Sequence, residues 1–225
     1  MKKLNCKQLT KKLIFFFLGV WIIQTGVAIF IGTKIGSDPF TVFTQGISNV
    51  INITPGKANM LITFTFLVII LLFSRTSINI GTVLAMISAG PFIDLMLKIF
   101  ENINFDSYNI IIKMLFLVLS CVIIAIGFSL LKATDLGVAP NDVIPFILSD
   151  NIKIQYRFVR IGLDVTFVVV GFLLGGVIGV GTIIAALLTG PLIQFFMPKL
   201  EKVAHKIIYD IEELEEKIAT GELAK

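Results

Sequence analysis

The chain contains itself twice. Residues 26–48 and 127–149 match at an offset of 101, pairing Gly26 with Gly127, Thr33 with Thr134, Gly36 with Gly137, Pro39 with Pro140, Val42 with Val143 and Ser48 with Ser149. Residues 81–93 and 181–193 match at an offset of 100, pairing Gly81-Thr82 with Gly181-Thr182, Ala85 with Ala185, Gly90-Pro91 with Gly190-Pro191 and Ile93 with Ile193. A single-residue deletion keeps the two blocks in register. Each copy holds three apolar segments, and an odd number of membrane spans sends the second copy into the bilayer from the opposite face. Two inverted halves are the architecture of many secondary transporters and of some channels.

Composition sets the solvent. Of the 225 residues 56% are apolar and only 15% charged, with 20 Phe. Mean hydropathy is +0.95, which excludes a soluble globular domain. The pI near 9.1 does not point to nucleic acid, because the basic residues flank apolar runs, where anionic lipid headgroups are their partners. Cys6 lies in a basic tail and Cys121 in mid-span, so their depths argue against a disulfide. The single His205 lies in the C-terminal tail and carries no metal-ligand spacing. The basic start followed by Leu13–Ile31 resembles a signal peptide, but the run is too long and lacks a small-x-small cleavage site, so it reads as an uncleaved span.

About 20 apolar residues cross the hydrocarbon core. Six segments qualify: 13–32, 58–73, 78–97, 110–131, 158–175 and 178–197. Lys and Arg orient them. One side holds Lys2, Lys3, Lys7, Lys11 and Lys12, then Arg75, then Lys132, Lys153, Arg157 and Arg160, then Lys199, Lys202, Lys206, Lys217 and Lys225; the other holds only Lys34, Lys57, Lys98 and Lys113. The positive-inside rule puts both termini in the cytoplasm. The organisation is therefore a basic tail 1–12, membrane repeat 13–98, membrane repeat 110–198 and a cytoplasmic segment 199–225. In the last segment Leu200, Val203, Ile207, Ile211, Leu214 and Ile218 recur at helical spacing. This helix lies on the membrane surface or, as a short coiled coil, joins a homodimer or a cytoplasmic partner.

Between the first and second spans of each copy lie 36–53 and 137–154, too polar to span and too apolar for a solvated loop. Asp38-Pro39 reads as an N-cap followed by Pro at the first helical position; Pro140 starts the second. Each is a short helix, either re-entrant or lying at the interface.

Charge inside a span is costly, so it marks candidate function. Asp94 follows Gly90-Pro91, where a weakened helix frees carbonyls that could join a carboxylate in binding a cation or proton; the alternative is a solvated position near the outer interface. Arg160 and Asp164, at i and i+4, share a helix face, and their repeat mates Asn59 and Thr63 are polar too. They form a site near the pseudo-twofold axis or a structural ion pair, and Asp164 is the deeper coupling candidate. Asn141 and Asp142 occupy the first turn after Pro140, and Asp38 precedes Pro39; they cap helices or gate an anion at exposed amides. Gln24 and Thr25 interrupt the first span and read as hydrogen-bonding partners of neighbouring helices. Gly171, Gly175 and Gly179, and Ala85 with Ala89, are small residues at four-residue spacing that let helices approach. Gly36, Pro39, Gly90, Pro91, Gly137, Pro140, Gly190 and Pro191 are the candidate hinges and helix breaks.

The segment Leu136-Gly137-Val138-Ala139-Pro140-Asn141-Asp142-Val143 and its echo Ile35-Gly36-Ser37-Asp38-Pro39-Phe40-Thr41-Val42 resemble the LG-x-x-P-W-D-V motif of the bacterial YczE/YyaS/YitT membrane proteins. Gly46-Ile47-Ser48 and the block from Gly81 to Asp94 also resemble that family, over about residues 13–198. The sequence departs from the motif at Thr41, where the acid is expected, and at Asn141, where the aromatic is expected. The resemblance implies an integral membrane fold and little about activity.

The chain has no Walker motif, dinucleotide fingerprint, zinc ligand set or nucleophile elbow, so the expectation is a non-enzyme without cofactor or metal. The fold class is all-α: a polytopic protein of six transmembrane helices in two inverted three-helix repeats, in a bacterial plasma membrane. Its partners are the lipid bilayer and a small solute or ion, and its function is secondary transport by alternating access. A small-solute channel, a substrate-capturing subunit with an ATP-driven partner, and a membrane scaffold without transport activity are the rivals.

Overall fold

The computed structural model describes residues 6–209. Eight α-helices account for nearly all of them: α1 (Cys6–Thr33), α2 (Pro39–Ile51), α3 (Pro55–Phe73), α4 (Ile80–Phe100), α5 (Ile110–Lys132), α6 (Pro140–Ile152), α7 (Tyr156–Leu173) and α8 (Val180–Ile208). No strand occurs among the described residues. Five helices, α1, α3, α4, α5 and α8, are long and apolar enough to cross a membrane. The expected fifth span coincides with α7, whose 18 residues include Arg157, Arg160 and Asp164; α1 and α8 also carry charges but are long enough to hold an 18-residue apolar stretch with two or fewer, and α7 is not. Large apolar side chains, Leu72, Phe73, Leu115 and Leu187 among them, are exposed on the bundle surface, as lipid solvation allows.

Two sequence expectations meet a different backbone. Gly90-Pro91 and Gly190-Pro191 do not interrupt their helices: α4 runs on through Pro91, and α8 through Pro191 and Pro198. The segment from residue 199 begins as the last three turns of α8 rather than as a separate helix. Its buried face there is Ala204, His205 and Ile208, packed on Ala133 and Phe15, while Val203 and Ile207 are exposed. The remainder of that amphipathic segment, with Ile211, Leu214 and Ile218, lies outside the described residues.

The sequence repeat is written into the turns. Thr33 and Thr134 donate their hydroxyls to the carbonyls of Phe30 (2.9 Å) and Leu131 (2.8 Å). Lys34 and Asp135 follow in the left-handed region (φ 57° and 55°), then Gly36 and Gly137 at φ 111° and 119°, where a side chain would be strained. Each linker then crosses to the other half. The Ile35 carbonyl accepts from Gly181 N at 2.9 Å, and the Leu136 carbonyl from Gly81 N at 2.8 Å. At the far ends of α2 and α6, Asn52 and Lys153 again share φ (53° and 56°), and the Ser48 and Ser149 hydroxyls donate to Ile53 and Ile154 carbonyls (2.5 and 2.7 Å).

Packing follows the same pairing. α1 and α5 cross at the centre, where Gly19 lies on Gly127 and Gly26 on Ser120; without side chains the backbones approach closely. α1 packs on α4 as α5 does on α8, and α2 packs on α7 as α6 does on α3. The most extensive pairing without a counterpart is that of α3 with α4. α3 lies along α4, whereas α7 and α8 share no substantial contact. They meet at the short turn that joins them, which is fastened to α2: Asn49 donates to the Gly175 carbonyl at 2.7 Å, and the Gln45 side-chain oxygen accepts from Val177 N at 3.1 Å. The gap therefore opens toward the other end of the bundle. We call that the tail end, because α1 starts there and α8 finishes there, joined by Lys12–Asp135 (3.9 Å) and by His205 to the Ala133 carbonyl (3.1 Å).

Candidate functional site

Asp142 reaches the site because Pro140 starts α6 two residues earlier, and Pro suits a helix N-terminus where no amide donor is needed. Ala139, the N-cap, offers no side-chain acceptor, and Asp142 pairs with Arg160 of α7 (Nη1 to Oδ1, 3.3 Å) rather than capping. Arg160 also pairs with Asp164 one turn along α7, Nε to carboxylate at 3.4 Å. A charge-assisted pair closes to about 2.8 Å when tight, so the guanidinium is shared loosely between two acids. Asp38 completes the group. It caps α2 by accepting from Thr41 N at 3.2 Å, and it lies within electrostatic reach of Arg160 and of Asp164. One guanidinium thus serves three carboxylates drawn from both halves, an arrangement that stabilises an added proton or cation.

An aromatic wall adjoins it. Phe167, one turn beyond Asp164, stacks on Phe43 (5.3 Å) and meets Phe40 edge-on (5.6 Å), and it lies 6.1 Å from its own repeat mate Phe66. α3 and α7 therefore face each other at this cluster. The sequence reading missed this cluster, since Phe at helical spacing in an apolar span looks like ordinary packing; the equivalence of Phe66 and Phe167 was the available signal.

The two halves expose this place unequally. The side chains of Arg160 and Asp164 are 36% and 31% exposed and that of Asp142 is 23% exposed, whereas the mates Asn59 and Thr63 are 8% and 2% exposed. Buried Asn59 Oδ1 and Ser37 Oγ have no hydrogen-bond partner, although Ser37 directly precedes Asp38.

The other sequence candidates fall elsewhere. Asp94 engages the N-terminus of α3, accepting from the Thr54 hydroxyl (2.6 Å) and Gly56 N (2.9 Å). Asn141 stands half-buried beside Asp142. Gly36 and Gly137 occupy the crossing linkers, two residues before Asp38 and five before Asp142, with Pro39 and Pro140 starting the helices that follow. Gly90 packs against Gly56, while nothing lies within 4 Å of a Cβ placed on Gly190. Thr25 bonds to the Trp21 carbonyl (2.9 Å) and to Met96 Sδ of α4 (3.3 Å), and Gln24 is buried.

Residues 10–198 match DUF6198, a family of unknown function. The chain is similar to the uncharacterised membrane protein YczE of Bacillus subtilis, 28% identical over 86% of this chain and 88% of that one. It is also similar to YyaS of the same organism, 28% identical over 85% and 94%. An uncharacterised Haemophilus influenzae protein is 26% identical over 87% of each. No solved structure matches the chain.

Proposed function

The chain belongs to DUF6198, a membrane-protein family of unknown function, and we propose that it is a secondary transporter of a small solute that works by alternating access. In this reading α1, α3, α4, α5, α7 and α8 are six spans in two inverted halves. α2 and α6 enter the bundle from opposite faces, and the tail end lies in the cytoplasm of a bacterial plasma membrane. At about 1.5 Å per residue, 13-residue helices such as α2 and α6 are too short to span, and half-helices meeting near the midplane are a recurrent way to build a solute site.

The observation that carries the reading is the unequal exposure of repeat-equivalent positions. Arg160 and Asp164 are about a third exposed on α7, which lacks the seat on α8, while Asn59 and Thr63 are buried on α3, which packs along α4. A binding group reachable from one side, with its symmetry mate shut, is what one station of a rocking cycle requires. The excess of carboxylates over guanidinium gives the site a proton or a cation to couple. Asp164 is the coupling residue, Asp38 and Asp142 its gates at the two half-helix N-termini, and Arg160 the counter-charge that moves between acids. Catalysis has no part in this reading.

The test is electrical. Proteoliposomes on a solid-supported membrane are challenged with amines, amino acids, sugars, nucleosides and inorganic cations, each with and without a pH step. A carrier gives saturating currents and counterflow that Asp164→Asn abolishes. Flux that never saturates makes the protein a channel, and silence across the panel removes transport in favour of a scaffold.

A further inference from the structure

The two halves treat one helix end differently. In the first half the α3 N-terminus is closed by an anion supplied by the chain: Asp94 of α4 takes the Gly56 amide and the Thr54 hydroxyl, and Gly56 and Gly90 lie backbone to backbone. In the second half every part of that closure except Gly90, retained as Gly190, is changed. Gln155, in place of Thr54, makes no side-chain cap on α7. Arg157 stands in place of Gly56 and Gln194 in place of Asp94, and both are exposed. A side chain at position 56 would run into the Gly90 carbonyl, so Arg157 forbids α7 the seat on α8 that α3 has on α4. Gly190 is accordingly left with open space around it. The α7 N-terminus keeps its free amides and gains a cation, and it has lost its carboxylate.

We propose that the tail-end mouth of the α7–α8 opening binds an anionic phospholipid whose phosphate takes the place that the Asp94 carboxylate holds in the first half. The phosphate sits on the first-turn amides of α7 and on Arg157, which among the described residues has no carboxylate partner; helix N-termini and arginine are the matching donors for such a group. Charge favours it further: Lys153 precedes α7, and Lys199 and Lys202 follow the gap on α8, all exposed. The occupant is a lipid rather than a free anion because α7 and α8 carry exposed apolar side chains, Ile161 and Leu187 among them, that acyl chains would cover. Basic clefts between helices at the cytoplasmic face are known to take such headgroups. The site depends on the membrane location and not on the transport reading.

The full chain is reconstituted in vesicles of equal phosphatidylglycerol and phosphatidylcholine, extracted in mild detergent and weighed intact. One phosphatidylglycerol stays with each chain, preferred over phosphatidylcholine by about fivefold, the scale of one basic side chain at an anionic headgroup. Arg157→Gln loses the preference and Arg157→Lys keeps most of it. Gln194→Glu, which restores the carboxylate of the first half, expels the lipid with Arg157 still present. Equal retention of both lipids overturns the proposal, as does undiminished phosphatidylglycerol in Gln194→Glu. So does equal stabilisation by inorganic phosphate in phosphatidylcholine alone, or a lipid-free dimer, which would mean that a second copy fills the gap.

Discussion

The carboxylate of Asp94 accepts from the Thr54 hydroxyl at 2.6 Å and from the Gly56 amide at 2.9 Å, binding the middle of α4 to the first turn of α3. An acid at a helix N-terminus gains from both the free amides and the helix dipole. The bond is also a fastening between two helices whose repeat mates stand apart, so one side chain marks the main difference between the halves. Its partners explain its cost: a carboxylate in a span is tolerated because every donor it needs is local.

Asp94→Ala removes both bonds at once. Charge-assisted hydrogen bonds contribute about 1.5–3 kcal/mol each at most, and with Asp94 partly exposed we expect a loss near the lower figure, read as a fall of several degrees in the melting temperature of the purified protein. Gln194→Ala, at the equivalent place in the second half, leaves the melting temperature within error. Equal effects from the two would mean that Asp94 holds nothing closed.

The same closure predicts how glycines respond. A Cβ on Gly56 would stand 2.5 Å from Asp94 Cγ and collide with the Gly90 carbonyl, while one on Gly190 or Gly162 meets nothing within 4 Å. Gly56→Ala therefore forces α3 from α4 and destabilises by about 1–3 kcal/mol, the usual cost of overpacking. Gly190→Ala and Gly162→Ala are neutral or slightly stabilising, since alanine favours helix by up to about 1 kcal/mol over glycine. Thermal denaturation of the three variants separates the outcomes.

The repeat was legible in sequence because glycine and proline fix backbone geometry directly: Gly36 and Gly137 do adopt matching positive φ, and Pro39 and Pro140 do begin matching helices. Asp38, Asp142, Arg160 and Asp164 could each be singled out as charges in apolar surroundings, and Arg160–Asp164 as neighbours by spacing. That Arg160 also reaches Asp142, on another helix, could not be seen, because it depends on how α6 seats against α7. The gap between α7 and α8 was hidden for a further reason. It is the absence of a contact, and only Arg157 standing where the first half has Gly56 hinted at it. Pro91 and Pro191 misled, since a proline removes one hydrogen bond without obliging a well-packed helix to break.

Closure can be read as accessibility. In a background where Cys6 and Cys121 are replaced by Ser, a cysteine at position 59 is buried on α3 and one at position 164 is partly exposed on α7. A membrane-impermeant maleimide should label position 164 from the tail side only, in inside-out vesicles, and leave position 59 unlabelled from either side. Adding Asp94→Ala should make position 59 reactive from the opposite face. Labelling of position 59 with Asp94 intact would show that the first half is not shut.

The shared guanidinium gives the last prediction. Arg160 is the cation between Asp142 and Asp164, and with Asp38 in electrostatic reach its removal leaves three carboxylates to repel one another. Arg160→Gln should lower stability by about 1–3 kcal/mol, the range for stranding partly buried charged partners. The damage should be relieved when a carboxylate is removed with it: Arg160→Gln combined with Asp142→Asn should recover a good part of the loss. Residues in direct contact couple in this way by about 0.5–3 kcal/mol, whereas separated sites simply add. Arg160→Lys should fold well yet fail to serve both acids, because an ammonium is a point donor where the guanidinium is a fork. If the double variant is less stable than Arg160→Gln alone, the loss lies in packing of the arginine stem and not in its charge, and Arg160 could then not act as the moving counter-charge of a transport cycle.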